Sequence, residues 1–157
     1  MHNKKIAILN NLLSQIEESI PFKDKNNPII SIVSIGWQLD HTLKVINRVC
    51  ASLKLSNPKD YKKDFNIIRS ILFTFCYIPR GKAKAPKIVK PSSLISTVDL
   101  HSQLGEAKKH INSMCLLDKN THFKHFIFGI LNKTKTLRFL EMHIKHHLKI
   151  VNDILRK

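Results

Sequence analysis

Three of the nine histidines in this 157-residue chain fall within five positions, in HIKHH at 143–147. Imidazole is the commonest transition-metal ligand and the side chain that titrates nearest neutral pH, so such a cluster can hold an ion or carry protons. At about 100° per residue, a helix through this stretch sets His143 and His147 on one side, beside Leu140, Ile144, Val151 and Ile154. His146 falls roughly 60° from His143 the other way, next to the polar sector of Lys145, Lys149 and Asp153. Two histidines at i and i+4 can bring both imidazoles to one ion, as in the H-E-x-x-H zinc proteins. Here Ile144, Lys145 and His146 lie between them and that motif's glutamate is missing, so metalloprotease chemistry is not indicated. The competing reading is structural, with buried imidazoles that hydrogen-bond a carbonyl or a carboxylate.

Three protein ligands with one position open is the usual catalytic zinc arrangement, so a third residue decides between these readings. His2 is terminal, and His101 and His110 sit among polar residues, which points to solvent. His122 and His125 flank Phe123 and Phe126 ahead of the last helix, where they suit packing or the pinning of a loop. His41, in GWQLDHTLKVINRV, lies at the edge of an apolar face formed by Val45, Ile46, Val49 and Leu53, on a helix long enough to run beside the last one.

The elements that must position these residues read as all-α. Glycines number four, alternation is scarce, and apolar residues recur at helical spacing. Helices are predicted at about 3–20, 35–54, 58–77, 97–114 and 133–156, with ends uncertain by two to four residues. Pro21, Pro28, Pro58 and Pro79 punctuate the first half, while Ser96-Thr97 and Asn132 to Thr134 supply N-caps for the last two helices. SILFTFCYIP at 70–79 is the longest apolar stretch; it is too short to span a bilayer and predicts a buried helical segment. RGKAKAPKIVKPSS at 80–93 reads as one long basic loop.

A length of 157 residues suits one domain over 1–157, with a core that needs no staples. Cys50, Cys76 and Cys115 are odd in number, far apart and outside any C-x-x-C pair, which predicts buried free thiols in a reducing compartment. The first residues, MHNKKIAILNNLLSQIEES, break their apolar run too early for a signal peptide, so a cytoplasmic protein without a membrane partner is expected. The net charge of +16 could attract nucleic acid, anionic lipid or small anions. Five of the 27 basic residues are arginine (Arg48, Arg69, Arg80, Arg138 and Arg156) and the rest are lysines spread along the whole chain. Base readout and bidentate phosphate clamps favour arginine, so a solvated lysine-rich surface is preferred over a nucleic-acid partner.

Taken together, Trp37-Gln38-Leu39-Asp40-His41, RGKAKAP at 80–86, FKHFIFG at 123–129 and HIKHHL at 143–148 resemble the DinB/YfiT-like family. The likeness covers about residues 30–155 and lies with a branch that has no settled activity. The resemblance implies an all-α four-helix bundle, with room for additional short helices. It also implies a three-histidine metal site, which by motif would be His41, His143 and His147. A divalent ion, zinc or nickel, would make this a metal-dependent enzyme acting on a small-molecule substrate. Thiol transfer or hydrolysis is the implied reaction class, and a homodimer joined through helix faces the implied assembly.

Asp40, Glu141, Gln38 and Tyr77 are the candidates to fix the imidazole tautomers. Glu141 falls roughly 160° from His143, so no obvious general base accompanies the pair, and the resemblance assigns no catalytic residue. Arg80, Lys82 and Lys84 could steer an anionic substrate, although a solvated loop is the simpler reading. The alternative function is a non-catalytic basic protein that binds nucleic acid or a protein partner on a helical scaffold.

Overall fold

Side-chain caps set where the helices begin. Ser34 accepts from the Trp37 N–H, Asn66 from Arg69, Ser96 from Asp99 and Asn132 from Lys135, each satisfying a backbone donor that the first turn leaves unpaired. The computed structural model describes residues 2–80, 89 and 94–156. It contains α1 (His2–Ser19), α2 (Ile35–Leu55), α3 (Ile67–Phe75), α4 (Thr97–Ser113) and α5 (Lys133–Leu155). Four of these agree with the periodicity to within a residue at each end. None is long and apolar enough to cross a membrane.

The four long helices close a ring, α1 against α4, α4 against α2, α2 against α5 and α5 against α1. Each contributes an i, i+3/i+4 stripe to one shared core. Leu9, Leu13 and Ile16 come from α1, Leu39, Leu43 and Ile46 from α2, Leu100, Leu104 and Ile111 from α4, and Leu140, Ile144 and Val151 from α5. Each such side chain contributes roughly 1.5–3 kcal/mol on leaving water, so the bundle is held chiefly by this stripe packing.

The third helix is shorter than the sequence suggests. Of residues 58–77 only Ile67–Phe75 is α-helical, Pro58–Asp60 forms a single 3-10 turn, and residues 61–66 are irregular. The cause is Asp64, whose carboxylate is committed elsewhere: it accepts from the Ile130 N–H at 2.9 Å and from Arg69 Nη1 at 2.7 Å. At the other end Cys76 adopts a left-handed conformation (φ 48°) and closes the helix before Pro79. The apolar stretch around it is not a buried segment. Phe73 is buried, but Ile67, Ile68, Ile71, Phe75 and Tyr77 are exposed.

Residues 122–132 carry the other departure from an all-α fold, an antiparallel hairpin of β1 (His122–His125) and β2 (Gly129–Asn132), with His125 opposite Gly129. Gly129 has φ +68°, and a Cβ there would stand 2.2 Å from Asp64 Oδ2, so both backbone hand and space demand glycine. Arg69, itself buried, donates to the Phe128 carbonyl at 2.7 Å, the Ile130 carbonyl at 3.2 Å and the Asp64 carbonyl at 2.7 Å. The hairpin is thereby bolted to α3.

All three cysteines are free, and the expectation that they are buried holds only for Cys50, whose thiol burial pushes up to about 12; Cys76 and Cys115 are exposed. Lys82 and Lys84 of the basic loop lie outside the described residues. Arg80 pairs with Asp153 at 2.5 Å.

Candidate metal centre

The centre lies between α2 and α5. Trp37 and His41, one turn apart on α2, stack with ring centroids 5.2 Å apart, which fixes the first imidazole. His143 and His147, one turn apart on α5, meet it tilted and edge-on respectively, with centroids 5.3 and 5.0 Å from that of His41. All three are buried, and one ring nitrogen from each lies within 4.8 Å of the other two. His146 behaves as a rim neighbour: it is half-buried and packs edge-on against His147.

Hydrogen bonds assign the protons. His41 Nδ1 lies 2.9 Å from the Val89 carbonyl, which can only accept, so the proton sits on Nδ1 and Nε2 keeps its lone pair. His147 Nδ1 likewise lies 2.6 Å from Gln38 Oε1, freeing its own Nε2. Gln38 is held in turn, its Nε2 donating to Ser31 Oγ at 3.3 Å. His143 differs. Its Nε2 faces the His147 Nε2 at 3.2 Å, while its buried Nδ1 has no hydrogen-bond partner among the described residues.

Burial, followed by the neighbouring His147 and His41, holds His143 well below the usual histidine range. Burial and then His41 do the same for His147. Burial also lowers His41, opposed in part by the Val89 carbonyl and by Asp40. Three neutral imidazoles therefore converge at neutral pH, the form in which imidazole binds metal.

These residues fit a cation. Two nitrogens each about 2.0–2.1 Å from a tetrahedral zinc stand about 3.3 Å apart, close to the spacing of the two Nε2 atoms. Uniformly nitrogen donors suit zinc, nickel, copper or iron alike.

Of the residues proposed to orient the ligands, only Gln38 touches one. Asp40 faces α4, accepting from Gln103 Nε2 at 2.7 Å and pairing with Lys44 at 2.6 Å. Glu141 pairs with Lys5 on α1 and with Lys145, and Tyr77 stands exposed. His101 is exposed, and His110 lies against Lys54 and Glu106, so neither approaches the centre.

A cavity of about 510 Å³ is lined by the three histidines together with Trp37, His146, Val89 and the hairpin aromatics Phe123, Phe126 and Phe128. His125 also lines it, a residue the sequence marks only as packing or loop-pinning. It does pin the turn, accepting from the Ile127 and Phe128 N–H groups at 3.1 Å each. The alternation of histidine with phenylalanine up to Gly129 was the available signal that this segment forms a wall.

Comparison with known protein families, curated proteins and solved structures yields no match to this chain.

Proposed function

We propose that this chain is a metal-dependent enzyme of the DinB/YfiT-like kind, with a divalent ion, zinc or nickel, held by His41, His143 and His147 and a small-molecule substrate in the adjoining cavity. The observation that carries the reading is the convergence of three buried imidazoles, two of them with Nδ1 protons anchored so that Nε2 is free. A divalent ion there supplies the charge that brings the pKa of a water or a thiol toward neutrality.

The chain's own residues prepare that position. Gln38 and the Val89 carbonyl hold the two protons, Trp37 fixes the plane of His41, and Phe128 and Phe139, both buried, give the cavity a water-excluding wall. Among the described residues that line the cavity there is no carboxylate. His125 has its Nδ1 committed to the Ile127 and Phe128 N–H groups. A water so activated would serve hydrolysis, and a thiol so activated would serve transfer to an electrophile.

Thermal unfolding with added zinc or nickel tests the metal reading. A cation that binds only the folded form must raise the midpoint, in the wild type and not in the His143→Ala/His147→Ala double variant. A midpoint unmoved by either metal in the wild type would overturn it.

A further inference from the structure

We infer that the cavity beside the histidines binds a small organic anion with a flat apolar body, its anionic group at Arg48. The inference rests on the cavity's shape and charge and stands whether or not a metal is held. His41, Val45, Arg48, Val49 and Ser52 all line it, and their spacing makes one continuous face of α2. Arg48 lies two turns beyond His41, about 10 Å along the helix axis. Val45 and Val49 on the same face give an apolar floor, and the aromatic rings of the hairpin and Phe139 give the opposite wall.

Charge selects the ligand's sign. Arg48 and Lys124 line this cavity, and no acidic residue does among the described residues. Of the other four arginines, Arg69 is engaged by Asp64, Arg80 by Asp153 and Arg138 by the Phe73 carbonyl, while the exposed Arg156 does not line the cavity. Arg48 is exposed and has no hydrogen bond or ion pair among the described residues. His125 adds a neutral donor of defined tautomer, since accepting two backbone N–H bonds on Nδ1 leaves its proton on Nε2. An apolar cavity of about 510 Å³ with a few donors falls in the range of small-molecule sites. An organic cation would find no counter-charge in it, and a wholly apolar molecule would leave the donors unused.

The test uses the anionic probe 8-anilinonaphthalene-1-sulfonate and its uncharged relative N-phenyl-1-naphthylamine, followed by fluorescence on the full chain. Trp37, the one tryptophan, lines the same cavity and reports binding by energy transfer. The sulfonate is expected to bind the wild type more tightly than the uncharged relative does. Arg48→Glu should weaken the sulfonate about tenfold or more while leaving the uncharged probe unchanged. Ile71→Lys, on the exposed apolar face of α3, should alter neither. Equal sulfonate affinity in wild type and Arg48→Glu would overturn the proposal. So would equal affinity of the wild type for the two probes, or loss of binding in Ile71→Lys alone.

Discussion

Gln38 on α2 accepts a 2.6 Å hydrogen bond from His147 on α5, a contact between residues 109 positions apart that sets which nitrogen of His147 faces the centre. Gln38 is buried and is itself held by Ser31, so the His147 ring orientation is built into the α2–α5 interface. Partners of this kind raise ligand basicity and fix the tautomer, and their loss typically costs metal affinity about 10–100-fold. Gln38→Leu is therefore expected to weaken zinc by about that factor in competition with a chromophoric chelator, with helicity retained. Wild-type affinity in this variant would show that the contact does not prepare the site.

Arg69 should be the most costly single residue outside the main core. Its guanidinium joins Asp64 to the Phe128 and Ile130 carbonyls and is almost wholly buried. Arg69→Ala removes this donor from the Asp64 carboxylate and from three carbonyls, those of Asp64, Phe128 and Ile130, a loss of about 3 kcal/mol or more. Urea unfolding measures it. A change under about 0.5 kcal/mol, the size of an ordinary surface substitution, would contradict the role assigned to this anchor.

Gly129→Ala tests the same corner through the backbone. With φ at +68° and a carboxylate oxygen 2.2 Å from the added methyl, the variant should lose about 1–2 kcal/mol from conformation alone, plus the displacement of Asp64. Chemical denaturation of the two proteins side by side gives the difference.

Acid should destabilise the metal-free protein before its carboxylates titrate. Burial holds His41, His143 and His147 below the usual histidine range and brings His125 down to about 4. Between about pH 6.5 and about 4 the unfolded chain thus binds more protons than the folded one, so stability is full above the unfolded value and falls as pH falls. At about pH 5, His125 alone would remove of order 2 kcal/mol. Melting points compared at about pH 7.5 and about pH 5 should show a clear drop, reduced in His125→Phe. A midpoint that does not change between them would contradict burial of these rings in neutral form.

The helices that carry the centre were legible because their apolar stripes repeat over four or more turns. His143 and His147 could be turned inward on angle alone, and Ser96 and Asn132 mark starts that the structure keeps. What failed depends on partners distant in sequence. Asp64 reads as a helical residue until Ile130, 66 positions away, takes its carboxylate. The aliphatic run of α3 reads as core because periodicity does not reveal that only Phe73 and Arg69 are buried there, with Leu72 partly so. The hairpin has strands of four residues each, too short for alternation to stand out, and Gly129 was its one strong sign. Asp40 and Glu141 looked available to the imidazoles, yet Lys44, Gln103, Lys5 and Lys145 claim them.

The most direct test of the metal centre is metal content by inductively coupled plasma mass spectrometry on untagged protein, wild type beside His143→Ala, after reconstitution with zinc or nickel and removal of free ion. Near-stoichiometric metal in the wild type and loss in the variant, with helicity retained, is the expected result. Little metal in both, or equal metal in both, would contradict a centre built from His41, His143 and His147.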